Sequence, residues 1–143
     1  MLEEYYVFEK ETYLGVLSYN SGTDRFHFEQ EMFTPEAERG IAHFLGSIEH
    51  VQDDEWINAV IEDRVMPPSR TRLAFALAKI GLRNYSAWDI AKEINLFSCN
   101  DLVWMSAEKN PLLYYDIHPY ARMITTDNKP HIKESKVSRY RLD

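Results

Sequence analysis

Asp63-Arg64-Val65-Met66-Pro67-Pro68-Ser69-Arg70 divides two helical patterns, and the fold is read outward from it. Ahead of the break, Trp56, Ile57, Val60 and Ile61 recur at helical spacing. Asp53-Asp54-Glu55 opens that helix, with carboxylates set against the positive end of its dipole. Pro67-Pro68 ends it, because a proline pushes the preceding residue, Met66, out of the α region. Behind the break a third helix is predicted from Ser69, or from Pro68 in its first turn. Leu73, Ala76, Leu77 and Ile80 form its inner face, and Gly81 is its stop. Tyr85-Ser86-Ala87-Trp88-Asp89-Ile90 opens a fourth helix, with Ser86 as N-cap, Asp89 as an approximate capping-box partner and Tyr85 with Ile90 as a hydrophobic staple. It ends near Asn95, and Asp101-Leu102-Val103-Trp104-Met105 reads as a short strand.

Toward the N-terminus the period changes. Residues 5–8 and 13–19 are rich in β-formers, with Gly15 marking a possible bulge. Asn20-Ser21-Gly22-Thr23-Asp24 is a turn, and Arg25-Phe26-His27-Phe28-Glu29 alternates. These three strands form an antiparallel meander, which needs a covered face to be stable. Thr34-Pro35-Glu36 starts the first helix, which runs to about Leu45 and stops at Gly46. After Ser106 the pattern weakens. Leu112-Leu113-Tyr114-Tyr115 is an apolar turn or strand, His118-Pro119 breaks it, and the chain from Thr125 is polar and basic. The expectation is an α+β fold: an N-terminal antiparallel β-meander packed on a cluster of about four helices, a short return strand and a basic C-terminal tail. Residues 1–124 form one domain and 125–143 the tail.

With 143 residues the chain can bury a real core, and 45% hydrophobic with 13% aromatic content excludes a disordered chain. The net charge of −7 argues against direct nucleic-acid binding by the whole body. The charge is uneven. Residues 1–63 carry fifteen acids against three bases, whereas residues 64–83 carry Arg64, Arg70, Arg72, Lys79 and Arg83 and no acid. Residues 122–143 add six bases and three acids. The single cysteine, Cys99, excludes an internal disulfide and a thiolate zinc cluster. Met1-Leu2-Glu3-Glu4 does not resemble a secretory leader, and no apolar run nears the ~20 residues that span a bilayer. The expectation is a cytoplasmic protein that meets no membrane.

Few residues offer chemistry. Cys99 and His118 are the one thiol–imidazole pair, but Asn100 and Asp101 beside the thiol disfavour a reactive thiolate. Asp116 with His118, and His43 with His50, lack the third ligand of a metal site. Asp53-Asp54-Glu55 lacks the alternating ligands and glycine of a calcium loop. Five scattered glycines supply neither a phosphate loop nor a dinucleotide fingerprint, and no Gly-x-Ser-x-Gly occurs. The sequence therefore predicts no catalytic residue, no metal and no cofactor. The basic block is the most suggestive patch. It fits an anion or acidic-protein contact, or internal pairing with local acids such as Glu62 and Asp63.

Residues 63–70, followed by Gly81-Leu82, Leu96-Phe97-Ser98 and Asn100-Asp101-Leu102-Val103-Trp104, resemble the N-terminal region of HipA-like kinases of Firmicutes. There a helix ending in an Arg-x-x-Pro-x-x-Arg-type break leads through a helix to a Leu-Ser-x-x-Asp-x-Tyr-Trp strand. The likeness covers about residues 50–106, and Tyr13-Leu14-Gly15-Val16-Leu17-Ser18-Tyr19 is similar to that region's opening strands. Val103 stands where the pattern has an aromatic, and neither a kinase catalytic loop nor an Asp-Phe-Gly is present. No phosphotransfer residue can be carried over. The resemblance implies an accessory module that acts in trans on a kinase or another macromolecule.

The expected function is non-catalytic: binding a partner protein and regulating or inhibiting it. Arg64, Arg70, Arg72, Lys79 and Arg83 are the candidate contacts, with the tail bases, and Trp88 and Trp104 are candidate anchors. The alternative is a small acidic phage-encoded inhibitor of a host defence complex, of the anti-CRISPR type, whose acidic half imitates nucleic-acid phosphates. A hydrolase or transferase using His118 and Asp116 ranks below both.

Overall fold

The computed structural model describes residues 2–114. Strands β1 (Leu2–Glu9), β2 (Thr12–Asn20) and β3 (Arg25–Gln30) form the meander. Helix α1 (Pro35–Leu45), a 3-10 turn (Ile48–Gln52), α2 (Asp54–Arg64), α3 (Leu73–Lys79) and α4 (Ala87–Glu93) follow, and β4 (Val103–Ser106) returns to the sheet. The architecture is α+β, with an antiparallel sheet ordered β3-β2-β1-β4. β1 is thus central, paired on one side with its sequence neighbour and on the other with a strand about a hundred residues away, Tyr6 opposite Ser106.

Gly15 has the role its position suggested. Pairing runs Val7 with Gly15, then Phe8 with Tyr13, so Leu14 is the extra residue of a bulge. A Cβ on Gly15 would lie 2.1 Å from the Glu29 carbonyl oxygen, so β2 and β3 approach there as only glycine permits.

The strands alternate between two apolar layers. Val7, Leu14, Leu17, Phe26, Phe28, Val103 and Met105 join the helices in the main core. Phe8, Phe97, Trp104 and Tyr114 form a second, aromatic cluster, with Tyr6, Tyr13 and Leu113 against it.

The helix ends follow local chemistry. Thr34 accepts from the Ala37 amide at the start of α1, and Gly46, at φ 87°, closes it. Asp53 caps α2 through the Trp56 amide. Ser86 caps α4, its Oγ accepting from the Asp89 amide at 3.2 Å. Ser86→Ala is expected to cost about 0.5–2 kcal/mol, read as a lower urea midpoint at unchanged slope. A variant that unfolds like the parent would place the start of this helix elsewhere.

Two boundaries differ from the sequence reading. α2 ends at Arg64, because Val65 is already extended (φ −112°, ψ 163°). α3 starts at Leu73 rather than Ser69, because residues 67–70 form a turn, with the Arg70 amide bonded to the Pro67 carbonyl. Arg72, left-handed at φ 60°, then precedes the helix. The 3-10 turn, capped by Ser47, was not foreseen. The tail over 125–143 lies outside the described residues.

Both edges of the sheet are partly closed by side chains. On β3 the Asn58 amide accepts from the Phe26 N–H (3.3 Å) and donates to its carbonyl (3.4 Å). On β4 the Met105 N–H donates to the Asn95 carbonyl, and Asn95 Nδ2 donates back to the Met105 carbonyl. The Val103 N–H donates to Asp101 Oδ1, and its carbonyl accepts from Arg64 Nη2. The outward backbone groups of β4 are thereby occupied without another strand.

Candidate functional site on helix α3

The Pro67-Pro68 break positions the site. Tyr85, just ahead of α4, donates from its hydroxyl to the Met66 carbonyl at 2.8 Å and holds the turn against the body. Ala76, Leu77 and Ile80 fix α3 in the main core. The opposite stripe is left outside. Residues 72, 75 and 79 fall on one side of the helical wheel. Phe75 is 43% exposed. The Arg72 guanidinium lies 4.6 Å from its ring centroid and the Lys79 ammonium 4.8 Å. One aromatic ring is held between two cations. Arg83, exposed, follows the left-handed Gly81 that stops the chain after α3.

The predicted site residues separate into two groups. Arg70, Arg72, Lys79 and Arg83 lie at or beside α3, Arg70 and Lys79 half-buried and the other two exposed. Among the described residues, Arg72, Lys79 and Arg83 make no ion pair with a carboxylate, so the internal pairing with Glu62 and Asp63 is not seen for them. Arg64, Trp88 and Trp104 are inside the protein and cannot be surface contacts in this structure.

Arg64 is a structural tie. Its side chain is 7% exposed and forms a fork with Asp101, at 2.7 and 3.0 Å. Nε and Nη2 also donate to the Leu96 carbonyl at 2.9 and 2.7 Å. Asn95 and Leu96 are both left-handed (φ 53° and 62°), and the Leu96 carbonyl meets the guanidinium from this turn. Arg64 therefore joins the end of α2 to residues 96, 101 and 103, which lie in two further segments that carry the HipA-like resemblance.

Trp88, 2% exposed, stacks on Tyr19 at 5.4 Å and meets Tyr5 and Phe26 edge-on. The Lys92 ammonium lies 5.6 Å from the Trp88 ring centroid and pairs with Glu3. Burial is the largest influence on Glu3 and works to raise its pKa, but the hydrogen bond and the charge of Lys92 hold it below the usual carboxylate range. Trp104 is fully buried, stacks on Phe8 at 4.9 Å and donates from Nε1 to the Lys10 carbonyl.

Sequence reasoning missed Phe75. Its signal was present: a lone aromatic three residues from Arg72 and four from Lys79, on the side of the helix opposite Leu77 and Ile80.

The remaining chemistry-bearing residues are occupied or isolated. His43 pairs with Glu9, His27 with Asp54, and His50 stacks on Trp56 at 4.0 Å. Cys99 is exposed, and its contact is the side chain of the adjacent Asn100. His118 and Asp116 lie outside the described residues. Among the described residues no group of three His, Cys, Asp or Glu could hold a metal, and no helix is long and apolar enough to cross a membrane. A cavity of about 340 Å³ lies between β3, Phe33 and the 3-10 turn, away from the basic stripe. Comparison of the chain with family models, curated proteins and solved structures finds no match.

Proposed function

We propose that this chain is a non-catalytic module that regulates a partner protein by binding an acidic surface of it through the outward stripe of α3. The observation that carries this reading is Phe75 between Arg72 and Lys79, with Arg83 beside it. Carboxylates abound elsewhere in the chain, yet these three cations meet none among the described residues. An exposed ring can enter an apolar pocket, and its flanking cations select a pocket with an acidic rim. The two cation–π contacts also hold the ring in place before binding, which lowers the ordering cost of association. The resemblance of residues 50–106 to the N-terminal region of HipA-like kinases supports a kinase as the class of partner.

The partner is first captured from the native host with the full chain. Association and dissociation are then measured at two salt concentrations. Phe75→Ala is expected to weaken binding by about tenfold or more, mainly through faster dissociation. Arg72→Glu with Lys79→Glu is expected to slow association and flatten its salt dependence, because rim charges steer encounter and are screened over ~8 Å at physiological ionic strength. Wild-type rates in both variants would remove α3 as the contact. If the acidic half is the contact instead, as for a nucleic-acid mimic, the sensitive positions move to Glu36, Glu38 and Glu49, and the partner is basic.

A further inference from the structure

The outer edge of β3 is closed over one half only. Arg25, His27 and Glu29 turn their backbone groups toward β2, a phase continued by the Glu31 amide, which donates to the Leu14 carbonyl. Phe26, Phe28 and Gln30 therefore turn theirs outward. Asn58 takes both groups of Phe26. Those of Phe28 and Gln30 meet no partner among the described residues. Phe28 is 1% exposed, and it lines the cavity bounded by β3, Phe33, Val51 and Gln52, so its outward N–H and carbonyl face that cavity. A buried backbone amide without a partner is costly, so the cavity selects an occupant that both donates and accepts.

We propose that this cavity receives a short extended segment of a partner protein, alternately apolar and basic, which adds a strand to the sheet beside Phe28 and Gln30. An extended chain repeats its outward groups every second residue, about 6.8 Å apart, which is the spacing from Phe28 to Gln30. The volume of about 340 Å³ suits a few residues of peptide rather than a folded surface, being near the small end of the roughly 300–1,000 Å³ of ligand pockets. Side-chain chemistry follows the strand period. The residue set opposite Phe28 bonds to β3 and turns its side chain toward Val51, a member of the main core, so an apolar group fits there. Its neighbours turn to the opposite face, that of Glu29, which is exposed and makes no ion pair among the described residues. Phe33, 69% exposed, supplies a further apolar wall. Residues 25–55 carry eight acids against Arg25 and Arg39, which favours a basic occupant. A second copy of the chain does not fit. Its β3 is flanked by its own α2 and 3-10 turn, and the outward groups of its β4 are occupied. This inference does not rest on the partner assigned to α3.

The test uses the full chain, isotopically labelled, and titrates it with the blocked peptides acetyl-Lys-X-Lys-X-Lys-amide, where X is valine, leucine or phenylalanine. Saturable shifts are expected at the Phe28 and Gln30 amides, with Overhauser contacts from the peptide to the Phe33 ring. Exchange of the Phe28 amide is expected to slow at least about tenfold at saturation, because a ladder bond then protects it. Methylating the X amide nitrogens keeps the charge and removes the donors that face β3, and is expected to weaken binding at least about tenfold. Phe33→Ala, at an exposed position, is expected to weaken it in the same direction with the fold intact by circular dichroism. No saturation with any of the three peptides would overturn the proposal. Equal affinity for the methylated peptide would also overturn it, since attraction to the acidic surface would then be the whole effect. Shifts that leave Phe28 and Gln30 untouched would move the peptide to another surface and overturn the site.

Discussion

Replacing Arg64 with alanine is expected to destabilise the protein by about 3–5 kcal/mol, the range for removing one partner of a buried, hydrogen-bonded ion pair. The magnitude follows from what remains. Asp101, whose side chain is 15% exposed, loses both guanidinium bonds, and the Leu96 and Val103 carbonyls lose their donor. Each group is left poorly solvated, and a buried polar group without a partner costs more than its bond contributed. Arg64→Lys separates charge from geometry. An ammonium keeps the charge but cannot form the planar fork and still reach two carbonyls, so a loss between wild type and alanine is expected. Urea unfolding of both variants provides the check. An alanine variant within 1 kcal/mol of the parent, on the order of a surface substitution, would contradict the role assigned to Arg64.

Trp104→Ala is the second large expectation, at about 3–5 kcal/mol for truncating a buried aromatic that cannot be replaced by collapse. The ring stacks on Phe8, meets Phe97 and Tyr114, and its indole N–H holds the Lys10 carbonyl in the β1–β2 turn. Lys10 is itself left-handed at φ 54°, and its amide bonds to the Leu102 carbonyl, so the turn and the start of β4 are fixed together. Trp104→Phe retains most of the stacking and removes the donor, which predicts a smaller loss of about 1–3 kcal/mol. Equal losses in the two variants would assign the effect to the turn rather than to the aromatic cluster.

Much of the fold was legible because local chemistry and global packing agree along the chain. Thr34-Pro35, Asp53, Ser86, Gly46 and the alternation of Phe26 and Phe28 each state one structure, and the fold adopts it. The misread segment is held by a local turn bond, from the Arg70 amide to the Pro67 carbonyl, and by Tyr85, which fixes the Met66 carbonyl from nineteen residues away. Ser69 looked like a helix start, but the turn after Pro67-Pro68 delays α3 to Leu73. The candidate site was half legible. Basic residues clustered in sequence suggested a surface patch, yet a charge map cannot say which cation turns inward. Arg64 does so because Asp101, thirty-seven residues away, and two carbonyls converge on it. The tryptophans were ambiguous for the same reason: an interface anchor and a core residue have the same side chain. Sheet register buries Trp104 opposite Phe8, and the packing of α4 on Tyr5, Tyr19 and Phe26 buries Trp88.

The closed rim of β4 has a consequence for the protein as a material. A bare terminal strand is a template on which identical chains can stack without limit, and concentrated solutions of such proteins drift toward fibrils. Here Arg64, Asp101 and Asn95 occupy the outward groups of Val103 and Met105, and Asn58 does the same for Phe26 at the opposite rim. Molecules that recognise this protein must therefore read side chains at these positions, since no backbone ladder is offered there. The same four residues act as a brake on polymerisation. Material that has lost Arg64 would be the first place to look for amyloid-dye binding on storage.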